Sequence, residues 1–170
     1  MVPSAATWAL QPGKLNTPRY SHASVAFAGK IWIAGGYDND GNKLSSVEVY
    51  DTVTKKWDTI QSMTRRRSSF KLAVVGGEIY AVGGEGYASI EKLDKGLGVW
   101  RVVAEIGESR VFCGVCAVGP KIYVMGGRGL DSTWNAFDVN ARQWASANTS
   151  VEDRTLPRDF VLGQALTVPP

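Results

Sequence analysis

One eight-residue segment is written three times in this chain. It reads Gly29-Lys30-Ile31-Trp32-Ile33-Ala34-Gly35-Gly36, then Gly77-Glu78-Ile79-Tyr80-Ala81-Val82-Gly83-Gly84, then Pro120-Lys121-Ile122-Tyr123-Val124-Met125-Gly126-Gly127. The offsets are 48 and 43 residues. Each copy is a turn residue, a charged residue, a short apolar run with an aromatic in it, and a double glycine. Self-similarity at this period means stacked supersecondary units, each unable to bury its apolar face alone.

A second signal runs in phase with the first. Trp57, Trp100 and Trp144 each stand seven residues after an apolar residue followed by aspartate, namely Tyr50-Asp51, Leu93-Asp94 and Phe137-Asp138. Four β segments per unit follow from these landmarks. The first, over 22–28, 70–75 and 112–118, is rich in small and β-branched residues, as suits a strand crowded on both sides. The second ends in the double glycine. The third covers 47–50, 90–93 and 134–137 and alternates apolar and polar residues through most of its length. The fourth starts at the tryptophan, over 57–60, 100–103 and 144–147. A short polar turn joins the third to the fourth as a hairpin. Trp8 lies 49 residues before Trp57 and marks the tail of a further unit. Residues 157–162, after a polar stretch, open another.

Composition agrees with a turn-rich all-β chain: 170 residues with 19 glycines and six tryptophans, 44% hydrophobic and 21% charged. The net charge of +3 is spread along the chain and gives no push toward nucleic acid. No run of about 18 apolar residues is present for a membrane helix, and residues 1–11 lack the pattern of a secretory signal. Cys113 and Cys116 form a C-x-x-C, but residues three apart in a strand point to opposite faces, so the pair reads as two small buried hydrophobes. Free buried thiols suit a reducing compartment, and a cytoplasmic location is expected.

Double glycine, a spaced apolar residue, and tryptophan seven residues later, in units of about 45, resemble the kelch repeat. The resemblance covers roughly residues 7 to 165. It implies an all-β fold of four-stranded antiparallel blades belonging to a β-propeller. The expected organisation is a single domain over 1–170, with a partial repeat at 7–16, repeats at 17–63, 64–106 and 107–147, and a partial repeat at 156–168. Three complete blades are fewer than a ring requires. The chain is therefore expected to be a fragment, a truncated product, or half of a homodimer that completes the propeller.

No constellation in the sequence carries chemistry. His22 is the single histidine, too few for the copper site of enzymes resembling galactose oxidase, and no motif matches the clustered carboxylates and histidine of the iron-dependent kelch proteins; it reads as a packing or hydrogen-bonded residue. Gly83-Gly84-Glu85-Gly86 is followed by no lysine and reads as a strand exit, and no nucleophile elbow is present. No catalytic residue, metal or cofactor is expected. Arginines recur instead: Arg19, Arg67, Arg110 and Arg158, at offsets of 48, 43 and 48, each at the mouth of a first strand. In kelch domains that recognise acidic peptides, arginines so placed help form the binding face with the loops after the double glycines. The resemblance thus nominates Arg19, Tyr20, Tyr37, Asn39, Arg66, Arg67, Tyr87, Arg110, Arg128 and Arg158 as partner-binding residues. Guanidinium groups pair well with carboxylates; the other role open to the recurrent arginines is to hold the loops between blades. The function expected is a non-catalytic interaction scaffold or adaptor for a protein partner, with substrate recognition in ubiquitin ligation and actin association both represented in the family. A sugar isomerase or lyase with its pocket at the channel mouth is the alternative.

Overall fold

The computed structural model describes residues 13–128 and 133–145. Trp8, the segment from 146 onward and Arg158, all invoked above, lie outside the described residues. Among the described residues, twelve strands make three separate four-stranded meanders. The first blade is β1 (Ala23–Phe27), β2 (Lys30–Ala34), β3 (Val47–Asp51) and β4 (Lys56–Ile60); the second is β5 (Lys71–Val75), β6 (Glu78–Val82), β7 (Ser89–Asp94) and β8 (Val99–Glu105). The third is β9 (Gly114–Val118), β10 (Lys121–Met125), β11 (Trp134–Asp138) and β12 (Gln143–Trp144). Every pairing is antiparallel between sequence neighbours. The described residues therefore form three blades of an open, partial propeller.

The repeated landmarks fall at equivalent places. The double glycines end β2, β6 and β10. Asp51, Asp94 and Asp138 each accept hydrogen bonds from the backbone N–H groups two and three residues ahead, closing the turn before the last strand of each blade. These bonds, with Lys30 alongside, lower the Asp51 carboxyl to about 2. Trp100 and Trp144 share a further role. Each Nε1–H donates to a carbonyl at the end of the previous blade's outer strand, Gln61 at 3.1 Å and Glu105 at 2.8 Å. Within their own blades, Trp57 packs on Tyr50 and Trp144 on Phe137, with ring centroids 5.0 and 5.2 Å apart.

Two cores result, one in each seam between blades. Ala23, Ala34 and Val47 of the first blade meet Phe70, Leu72, Ile79, Leu93 and Trp100 of the second. Val75, Tyr80, Val82 and Ile90 of the second meet Cys113, Ile122, Val124 and Phe137 of the third. Cys113 is buried and Cys116 half-buried; both are free thiols whose pKa burial pushes up. Burial thus keeps them protonated and poorly nucleophilic.

The first strands begin later than the sequence suggests, and the cause is local. Ser21, Ser69 and Phe112 occupy the same position in the three blades, and all adopt left-handed backbone, with φ of 52°, 54° and 59°. A residue there cannot continue a strand. Phe112, expected inside the first strand, instead precedes β9 and leaves its ring 62% exposed. The three residues also join the blades: Ser69 N–H donates to Ser21 C=O at 2.9 Å, and Phe112 N–H to Ser69 C=O at 3.1 Å.

Candidate interaction face

The loops that follow the double glycines and those that lead into each first strand share one end of the blades. The glycines fix this end. In the first blade, Gly35 N–H bonds Ser46 C=O, while Gly36 N–H bonds Arg67 C=O of the next blade at 2.8 Å. The second blade repeats this, with Gly83 on Ser89 and Gly84 on Arg110 C=O at 3.0 Å. A β-carbon on Gly35 would lie 2.4 Å from the Arg67 carbonyl oxygen, so the seam closes only around a residue without one.

The recurrent arginines turn inward. The side chains of Arg19 and Arg67 are 0% exposed, and Arg110 is 4% exposed. Arg67 is the fullest case. Its guanidinium donates to Glu91 through Nε at 3.0 Å and Nη2 at 2.9 Å, to the Ser89 hydroxyl at 2.7 Å, and to the carbonyls of Gly83 and Ser89. Burial pulls the Arg67 pKa down from its ordinary value, and the Glu91 carboxylate opposes that shift. Arg19 donates likewise to Glu48, to the Ser46 hydroxyl and to the carbonyls of Gly35 and Ser46. Each glutamate then reaches back to the chain entering its blade. Glu48 accepts from the N–H groups of Asn16 and Thr17, and Glu91 from the N–H and hydroxyl of Thr64. These side chains therefore sit inside the blades, not on a rim, and their contacts are those of loop clamps.

The third blade departs from the pattern. Asn135 stands where Glu48 and Glu91 stand, and Arg110 bonds its side chain, the Thr133 hydroxyl and the carbonyls of Gly126 and Thr133. The buried Nε of Arg110 makes no hydrogen bond. Restoring the carboxylate with Asn135→Glu supplies an acceptor to that N–H, as Glu91 does for Arg67. The expected result is a gain of about 1 kcal/mol, read as a higher urea midpoint with unchanged slope.

The remaining nominated residues lie at or near the surface in three groups. Tyr20 is 54% exposed and stacks on Tyr37, ring centroids 5.4 Å apart. Lys43 covers the Tyr37 ring at 5.7 Å and pairs with Glu85 of the next blade at 3.4 Å. Glu85 also accepts from the Tyr37 hydroxyl and from Ser68, and these bonds with Lys43 hold its carboxyl below the usual range. Asn39 is exposed at the tip of the turn that Asp38 closes. Half-buried Tyr87 lies against the guanidinium groups of Arg65 and Arg67, and Arg66 is exposed beside them. In the third blade, Arg128 is exposed and lies over the Phe112 ring at 5.5 Å. His22 is exposed next to Gly36 and hydrogen-bonds the Arg19 backbone rather than packing in a core; partial desolvation and, after it, the nearby Arg19 charge lower its pKa. Lys43 and Phe112 were not singled out from the sequence, and Glu85 stood there only within the strand exit after the double glycine. Phe112 was within reach there, standing two residues after a recurrent arginine as Ser21 and Ser69 do.

No cluster of three or more histidine, cysteine, aspartate or glutamate side chains suited to a metal occurs among the described residues, nor any helix long and apolar enough to cross a membrane. A family described as Kelch motif matches residues 18–64 and 109–135. Kelch-like protein 41b of Danio rerio is 39% identical over 84 residues, 49% of this chain and 13% of that protein. An F-box/kelch-repeat protein of Arabidopsis thaliana is 37% identical over 70 residues, 41% of this chain and 19% of its own length. Kelch-like protein 42 of Mus musculus is 32% identical over 74 residues, 44% of this chain and 15% of its own. The chain thus spans less than a fifth of each of these relatives. Repeat period, blade topology and these similarities agree: the chain carries kelch repeats and is similar to kelch-repeat proteins.

Proposed function

We propose that this chain is a non-catalytic scaffold that takes a protein partner on the loop face just described, and that the segment recognised combines carboxylates with an apolar side chain. One observation carries the reading: aromatic rings and cations are paired on that face, exposed Tyr20 stacked on half-buried Tyr37 with Lys43 over the Tyr37 ring, and exposed Phe112 under exposed Arg128. Rings of this kind supply contact area at little cost in side-chain freedom, and the cations supply sign. Arg66 and Arg128 are free to meet carboxylates bidentately. Arg19, Arg67 and Arg110 enter the reading as the clamps that set the loops. Function as an adaptor in ubiquitin ligation or in association with actin, and a cytoplasmic location, belong to this proposal.

An array of peptides carrying acidic, neutral or basic residues around one aromatic or aliphatic residue tests it. Acidic members should bind, and binding should weaken as salt rises through the range where the Debye length falls below about 8 Å. Tyr20→Ser with Arg128→Ser should remove binding while changing stability by no more than about 0.5 kcal/mol. Equal capture of basic and acidic peptides would overturn the reading.

A further inference from the structure

Where the first and second blades meet on the loop face, three donors converge on one carboxylate oxygen. Glu85 Oε2 accepts hydrogen bonds from the Tyr37 hydroxyl and, at 3.1 Å, from the Ser68 hydroxyl, and Lys43 Nζ stands 3.4 Å from the same atom. Each donor is also held by contacts that do not involve that carboxylate. Tyr37 exchanges both backbone hydrogen bonds with Tyr20, at 2.9 and 3.0 Å, and its ring stacks on the Tyr20 ring. Lys43 donates to the main-chain carbonyl of Glu85 at 3.2 Å. Ser68 is 0% exposed, and its own carbonyl accepts from Glu85 N–H at 3.0 Å. The Glu85 side chain, by contrast, is 53% exposed. Its backbone is anchored, so rotation of the side chain alone empties the cradle and leaves two hydroxyls and an ammonium in place. That set of donors is complementary to a carboxylate from any source.

We propose that Tyr37, Lys43 and Ser68 form a carboxylate-binding subsite for the partner, filled by Glu85 in the free chain and yielded on binding. The proposal rests on the reading of this face as a surface for acidic segments. A ligand that needs the cradle empty loses apparent affinity in proportion to the time it is filled. A cradle free one-tenth of the time weakens binding about tenfold. Because the donors stay in position without Glu85, the incoming carboxylate spends little on ordering them. An apolar side chain resting on the exposed Tyr20 ring lies beside the cradle and supplies free energy for the exchange. Glu85 thereby acts as a gate, favouring segments that place a carboxylate and an apolar group together over segments that offer only one of them.

Fluorescence titration of the full chain with a labelled peptide, a leucine flanked by glutamates, tests this. Glu85→Ala should bind that peptide about tenfold more tightly than the wild type. The same peptide with glutamines in place of the glutamates should gain nothing, and Lys43→Met added to Glu85→Ala should cancel the gain. An unchanged or weaker affinity in Glu85→Ala overturns the proposal, because the carboxylate then braces the loops instead of filling a subsite. Should Glu85→Ala fail to fold, Glu85→Gln keeps the side chain's size and should tighten binding in the same direction. A second measurement needs no peptide. Acetate near its Kd should raise the melting temperature of the Glu85 variant by about 1 °C over chloride at equal ionic strength, and leave the wild type unmoved. No acetate-specific rise overturns the proposal whatever the peptides do, and so does an equal rise in both proteins. Should the wild type capture acidic and basic peptides alike while acetate still stabilises the variant, the reading of the face fails and the cradle stands.

Discussion

Glu91→Ala should destabilise the protein by about 3–5 kcal/mol, because it strips a buried guanidinium of its carboxylate. Arg67 and Glu91 are both 0% exposed, so neither solvent nor a surface rearrangement replaces the lost partner. The loss reaches beyond the pair. Thr64 forfeits the acceptor for its N–H and hydroxyl, and the loop leading into the second blade is released. Total stability for a domain of this kind is about 5–15 kcal/mol, so the change takes a large share of it. Urea denaturation followed by tryptophan fluorescence checks the value. The double replacement Arg67→Met with Glu91→Leu should cost far less than either single change, because removing both charges together leaves no ion stranded. Equal losses in single and double variants would show that packing, not the charge pair, carries the effect.

Gly35→Ala should cost about 3–5 kcal/mol, the sum of a strained left-handed backbone and an overpacked seam. Its φ is 60°, and the new methyl would press on the Arg67 carbonyl and within 2.8 Å of the Phe70 ring. Both obstacles belong to the next blade, so relief requires the two sheets to part. Gly29→Ala is the control. Its φ of 70° is similarly unfavourable, but nothing lies within 4 Å of the added carbon, and about 1 kcal/mol is expected. Thermal melts of the two variants separate backbone strain from steric exclusion. Matching melting temperatures would remove the seam from the explanation.

These positions show why the scaffold was more readable than the site. The double glycines and tryptophans satisfy demands internal to each blade and its neighbour, so they recur at fixed offsets and announce themselves. The arginines recur as well, yet recurrence alone does not say which way a long side chain points. The deciding signal was the glutamate in the third strand, Glu48 and Glu91, a charge inside an otherwise apolar run. Arg19 lies 29 residues before its glutamate and Arg67 lies 24 before its own. The loop between them varies in length, which hides the pairing from a fixed-offset search. The grouping of Tyr37, Lys43 and Glu85 was out of reach for a different reason. It bridges two blades through loops that share no sequence pattern, and only their placement at a seam brings them together. Strand limits shifted by one or two residues where Ser21, Ser69 and Phe112 turn left-handed, a conformation that neither serine nor phenylalanine advertises.

The chain of hydrogen bonds through Ser21, Ser69 and Phe112 has an evolutionary consequence. Neighbouring blades are tied there by main-chain atoms alone, at positions whose side chains leave the bonds untouched. Two serines and a phenylalanine already occupy this one structural slot, and the residues just before them are a tyrosine, a serine and a valine. Mutation can therefore sample new surfaces at these sites while the connection beneath is inherited unchanged. A lineage of such proteins can acquire new binding preferences in small steps, each made on a frame that is already folded.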